Sequence, residues 1–177
     1  MRSRSPLTLR VDLPQEPREP GFWWPLVLAT LFTAAIATIG GELTQLGDWY
    51  QALKKPSWQP PDYAFPIVWT TVFTFSVIGM AFAWRDVACP RRRGVIVALF
   101  VLIGGLNMLW SFLFFNQQRP DWALIEVGAL WLAVLLIVVA PLKDSKLASL
   151  LFFPYLVWVT IASYLTWTVV QLNGPFG

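Results

Sequence analysis

Five long uncharged stretches divide this chain. Pro20–Gly41, Tyr63–Trp84, Gly94–Gln118 and Leu147–Gly177 carry no charge, and Trp122–Leu142 carries only Glu126. A helix needs about 20 mostly apolar residues to cross the hydrocarbon core of a bilayer. The pattern therefore predicts an all-α membrane protein. It has five transmembrane helices, near 22–41, 63–84, 95–115, 122–141 and 149–172. Short connections predict that consecutive helices pack as antiparallel neighbours. Only the first connection, about 42–62, is long. Residues 1–20 hold four prolines and seven charges, which predicts a disordered tail rather than a cleaved leader. Domain organisation is thus a tail and one membrane domain, 21–177.

Charge sets the orientation. Ten of the thirteen Lys and Arg residues fall in the tail, around 85–93 and around 143–146, all on one side of the predicted bundle; Lys54, Lys55 and Arg119 fall on the other. The positive-inside rule places the N-terminus inside and the C-terminus outside, with the long loop outside. A bacterial cell membrane fits this asymmetry.

Composition changes the picture by exclusion. The chain is 56% hydrophobic and 13% charged, with eleven Trp, one Cys and no His. Without His there is no His-ligated zinc, no His-held haem iron and no Ser-His-Asp triad. Cys89 alone forms neither an intramolecular disulfide nor a multi-Cys metal site. No metal site is expected, and a net charge of +3 is no nucleic-acid footprint.

The first loop is unlike a linker. It contains Trp49, Tyr50, Leu53 and Trp58 with Pro56, Pro60 and Pro61. Proline lowers the entropy lost on ordering, and aromatics supply something to bury. A structured lid over the bundle is expected; an aromatic belt at the headgroups explains the rings but not the prolines.

Three helical faces complete a cleft beneath such a lid. Phe65, Trp69 and Phe73 recur at i, i+4, i+8, while Asn107, Trp110, Phe114 and Trp158, Ala162, Leu165 each recur at i, i+3 or i+4, and i+7. Asn107 lies near mid-span, so it faces either another helix or a ligand. Ala162 leaves room beside Trp158. Glu126, about one turn into its helix, is expected to snorkel to the outer interface. Ala29, Thr33, Ala37 and Gly41 form a small-residue ladder for close helix packing, within the chain or in a dimer. Trp23, Trp24, Trp84 and Trp122 read as interface anchors, whereas Trp131 and Trp167 carry no assignment beyond packing or lipid contact.

Three separated motifs resemble one family. They are Trp49-Tyr50…Leu53-Lys-Lys-Pro56-Ser-Trp58-Gln-Pro60-Pro61…Phe65-Pro-Ile-Val-Trp69-Thr, Leu106-Asn107-Met-Leu-Trp110-Ser111-Phe-Leu-Phe114-Phe115, and Pro154-Tyr155-Leu-Val-Trp158…Ala162-Ser-Tyr164-Leu165. Their order and spacing resemble the TspO/MBR family of tryptophan-rich sensory proteins and translocator proteins.

The resemblance implies a five-helix receptor or sensor for tetrapyrroles such as protoporphyrin IX. It implies a pocket lined by Tyr50, Pro60, Trp69, Asn107, Trp110, Trp158, Ala162 and Leu165, and a homodimer. It also implies an alternative in which bound porphyrin is degraded in light, with Trp69 and Trp158 as the reacting tryptophans. A transporter is a further alternative, weakened because Glu126 is the only acid in the spans. Two departures matter. Thr166 stands where the family usually has Asn, and no basic residue follows Leu165, so the mitochondrial relatives' cholesterol motif is absent and cholesterol is not an expected partner. No cofactor is required. Stacking on Trp and Phe holds the ring, and Lys54 or Lys55 is placed to meet a ring carboxylate.

Overall fold

The computed structural model describes residues 21–176, so the tail expected to be disordered lies outside the described residues. Every regular element among them is helical: α1 (Trp23–Leu43), α2 (Asp48–Ala52), α3 (Ala64–Asp86), α4 (Pro90–Ser111, prolonged by a π turn over Phe112–Asn116), α5 (Pro120–Val139) and α6 (Lys146–Asn173). All but the short α2 are long and apolar enough to cross a membrane. This is the five-span, multi-pass architecture that the uncharged stretches predict.

Two helices begin earlier than expected, for local reasons. Pro90 occupies the first turn of α4, where its missing N–H costs nothing. Arg91, Arg92 and Arg93 then form that first turn instead of a loop. The Arg93 guanidinium donates to Val87 O at 3.1 and 2.8 Å, and Arg92 donates to Ala140 O at 2.8 Å. At α6, the Ser145 hydroxyl accepts from Ala148 N–H at 3.3 Å, a side-chain cap that draws the helix start back to Lys146.

Around the bundle the order is α1, α3, α6, α5, α4 and back to α1. Consecutive α4–α5 and α5–α6 pack as expected. The expectation fails for α3 and α4, which are joined by only three residues yet touch sparingly; α3 lies mainly on α6. Gly79 permits that, since a Cβ there would sit 3.2 Å from Leu151 Cβ. The far halves of α3 and α4 both line a cavity.

The small-residue ladder of α1 changes role along its length. Ala29 is buried and Thr33 half-buried in the packed half, whereas Ala37 and Gly41 are exposed and line the cavity. Closest approach of α1 to α4 is elsewhere. A Cβ on Gly104 would lie 2.7 Å from the tip of the Phe32 ring, so a larger residue there would have to push that ring aside.

Candidate functional site

The first loop is folded, and it has a core of its own. α2 opens with Asp48 in its first turn, and Tyr50 is buried at 9% exposure with Phe114 of the π turn, Ala123 of α5 and Val169 of α6. Trp49 meets the Phe114 ring edge-on at 6.0 Å, and Tyr50 meets Phe115 at 5.6 Å. The π turn makes these contacts available, because its wider winding presents both Phe114 and Phe115 to the loop and the cavity. Such insertions recur at functional sites. Trp58 behaves differently. It is exposed and stacks on Tyr164 of α6 at 5.1 Å, outside the cavity wall.

Beneath the loop lies a cavity of about 460 Å³, within the roughly 300–1,000 Å³ usual for small-molecule sites. Its wall includes Tyr50, Leu53 and Lys55 from the loop, Phe65, Trp69 and Phe73 from α3, Asn107, Trp110 and Phe114 from α4 and its π turn, and Trp158, Ala162 and Leu165 from α6. The three faces expected from helical spacing therefore converge on one space. Seven of the eight expected pocket residues line it: Tyr50, Trp69, Asn107, Trp110, Trp158, Ala162 and Leu165. Pro60 does not; its neighbours Gln59 and Asp62 do. Pro60 is half-buried in the irregular segment between the Pro56–Gln59 turn and α3, where no helical or strand period fixes which side chains face the cavity.

Aromatic contacts organise the floor. Trp69 meets Trp158 edge-to-face at 6.0 Å and Tyr155 at 5.9 Å, while Trp110 stacks on Phe114 at 5.0 Å. Asn107 makes the interhelical hydrogen bond and also faces the cavity. Its Nδ2 donates to Tyr155 Oη at 2.6 Å across α4 and α6, and the residue lines the cavity. The indole N–H groups of Trp110 and Trp158 are buried with no hydrogen-bond partner among the described residues. Buried donors normally find an acceptor.

Charge enters at the mouth. Lys55 Nζ lies 3.8 Å from the centroid of the Tyr50 ring, a cation–π contact. Lys55 lines the cavity, while Lys54 is exposed and does not. Gln59 Nε2 donates to Tyr50 Oη at 3.4 Å. Burial, and then the nearby Asp62 carboxylate, push the Tyr50 phenol above its ordinary value, with the Gln59 hydrogen bond pulling the other way. The phenol is therefore neutral at physiological pH.

One expectation is corrected, and three residues left open gain a place. Glu126 does not snorkel. It is 7% exposed on the buried face of α5, and neither carboxylate oxygen has a hydrogen-bond partner among the described residues. Its helix turns it toward α4 and α6 rather than the interface. Thr166 is buried and lines the cavity, but its hydroxyl donates to Ala162 O at 2.8 Å on its own helix. The previously unassigned Trp131 donates from Nε1 to Thr160 Oγ1 at 2.8 Å, tying α5 to α6, and Trp167 stacks on Tyr164 at 5.6 Å. Among the described residues no three His, Cys, Asp or Glu side chains group to hold a metal.

Comparison with known proteins follows the same outline. The TspO/MBR family model matches residues 27–172. The Tryptophan-rich protein TspO of Chlorobaculum tepidum is 42% identical over 125 residues, covering 71% of this chain and 79% of that one. The Tryptophan-rich sensory protein of Cereibacter sphaeroides is 33% identical over 150 residues, covering 85% and 92%. The Translocator protein of Sus scrofa is 30% identical over 158 residues, covering 85% and 91%.

Proposed function

The chain belongs to the TspO/MBR family, and from that premise we propose that it is a membrane receptor or sensor whose cleft binds a tetrapyrrole of the protoporphyrin IX type. The observation that carries this reading is the cavity itself, a mostly aromatic and aliphatic space closed by a folded loop. A porphyrin is a large flat π-surface. Trp69, Trp110 and Trp158 offer rigid faces and edges to it with little loss of side-chain entropy. The unpartnered indole N–H groups of Trp110 and Trp158 match the nitrogen and oxygen acceptors of such a ligand. Lys55 at the mouth suits a ring carboxylate. Selectivity then rests on ring shape, not on a His–metal bond, since the chain has no His.

Orientation with the loop outside, in a bacterial cell membrane, belongs to this proposal through the Lys and Arg asymmetry. The test is a dark equilibrium titration of the detergent-solubilised protein with protoporphyrin IX. The proposal expects one saturable site per chain, and a linear, unsaturable signal would contradict it.

One contact favours a second reading. Trp69 and Trp158 touch each other on the cavity wall, so a photoexcited porphyrin would lie beside oxidisable indoles, with dioxygen as the terminal oxidant. Illumination of the bound complex distinguishes the readings. Loss of the porphyrin absorption that slows in Trp69→Phe and Trp158→Phe, with binding kept, supports degradation; an unchanged rate in both variants removes it.

A further inference from the structure

The loop is fastened to the far end of the chain by one side chain. Asn173, the last residue of α6, accepts from Lys54 N–H through Oδ1 at 2.7 Å and donates from Nδ2 to Lys54 O at 2.9 Å. The same Nδ2 donates to Val169 O at 2.8 Å, which anchors the amide on its own helix. Both backbone groups of a single loop residue are thus held by one amide, across 119 positions of sequence. Among the described residues no strand or helix backbone pairs with Lys54; the amide takes the place of one.

The position of that clasp matters more than its strength. Leu53 leaves α2 in an extended conformation, φ −63° and ψ 134°, where consecutive side chains alternate in direction. Leu53 and Lys55 accordingly line the cavity, and the Lys54 side chain between them is exposed. Asn173 grips the backbone at the centre of this alternation. A slip or rotation of one residue would turn Lys55 away from the Tyr50 ring, where its ammonium now rests at 3.8 Å. Asp62 lines the same cavity, so the mouth carries charges of both signs, and the placement of Lys55 decides which one an arriving anion meets.

We propose that Asn173 is a positioning residue: its amide latches the loop at Lys54 and so holds the Lys55 ammonium where it selects ligands bearing a carboxylate. This rests on the reading of the cleft as a porphyrin site. It adds the residue that sets ligand choice and residence.

The latch is tested first without ligand. Trypsin cuts after Lys54 only when the loop backbone opens locally, and Pro56 protects the next bond. In the full-length protein in detergent, Asn173→Ala removes both clasp hydrogen bonds and is expected to speed cleavage after Lys54 by about three- to tenfold. Asn173→Asp keeps an acceptor for Lys54 N–H but loses the donor, and should fall between wild type and Asn173→Ala. Selection is tested with two probes, protoporphyrin IX and its dimethyl ester. Wild type should favour the diacid severalfold, Lys55→Met should remove that preference, and Asn173→Ala should reduce it while releasing the diacid faster. Cleavage after Lys54 that is unchanged in Asn173→Ala overturns the latch. Faster cleavage with the diacid preference intact overturns the positioning of Lys55. A wild-type protein that binds neither probe overturns the porphyrin reading, and with it carboxylate selection, while the cleavage rates still decide the latch.

Discussion

At one end of the bundle, guanidinium groups reach across to backbone carbonyls; at the other, aromatic rings and one amide hold a proline-stiffened loop over a cavity. Arg93 donates twice to Val87 O and lies 4.9 Å above the Trp84 ring, Arg92 donates to Ala140 O and pairs with Asp144, and Ser145 donates to Asp86. These contacts join α3, α4, α5 and α6 where each begins or ends. Charge-assisted hydrogen bonds are the stronger kind. The loop end has the opposite character. Its loop core is small, centred on Tyr50, Phe114, Ala123 and Val169, Trp58 stacks on Tyr164 of α6, and the Asn173 amide adds a hydrogen-bonded tie to the same helix. The difference teaches where motion belongs. Regions that open locally are those with few buried contacts and few hydrogen bonds. The arginine end fixes the helix arrangement, and under the proposed function the loop end is where a ligand enters and leaves.

The comparison breaks most readily in the cleft. Ala162→Phe places a ring beside Trp158 in the cavity wall. Porphyrin affinity should fall by about a hundredfold or more, roughly 2.7 kcal/mol, with little change in thermal stability because the space is already open. A titration alongside a melting curve checks both halves. Arg93→Ala should do the reverse. Losing two charge-assisted hydrogen bonds and the contact with Trp84 should destabilise the fold by about 1.5–3 kcal/mol and leave porphyrin affinity unchanged. A large binding defect in Arg93→Ala would show that the two ends are coupled.

Glu126 sharpens the contrast from inside the bundle. It is buried on α5 without a partner for either oxygen among the described residues, and unpartnered buried polar groups destabilise by about 1–3 kcal/mol. Glu126→Leu should therefore raise the melting temperature. A lowered one would mean that the carboxyl performs a structural task in the folded protein.

The smallest effect concerns pH at the loop. The Tyr50 phenol is raised from an ordinary value of 10.0 by burial and then by Asp62. A group raised on folding contributes stability that is present below its unfolded value and is lost as pH rises through the folded value. Stability should be insensitive to Tyr50 up to about pH 10 and decline above it. In Tyr50→Phe that part of the decline should disappear when melting is followed against pH.

Much of this was legible in the sequence, because a membrane imposes simple rules. Five apolar stretches gave five helices, and residues spaced at i, i+3, i+4 and i+7 brought Trp69, Trp110 and Trp158 to one space. Proline and aromatic content marked the first connection as folded. What escaped depends on distance or on unusual winding. Nothing local in Asn173 announces a partner 119 residues away, and the π turn at Phe112–Asn116 reads as ordinary helix. Glu126 misled because one turn from a helix end permits either snorkelling or burial, and only the neighbouring helices decide which. The sparse contact between α3 and α4 was hidden for the same reason, since loop length says which helices can pack and not what space their far halves enclose.

Under the proposed function, the aromatic cleft at the loop end binds a porphyrin independently of the arginine end. Protoporphyrin IX quenching of tryptophan fluorescence in detergent, in the dark, measured in parallel on wild type, Ala162→Phe and Arg93→Ala, tests this. Saturable quenching at one site is expected in wild type and Arg93→Ala, and its loss in Ala162→Phe. Equal quenching in all three proteins, or quenching that never saturates, would contradict it.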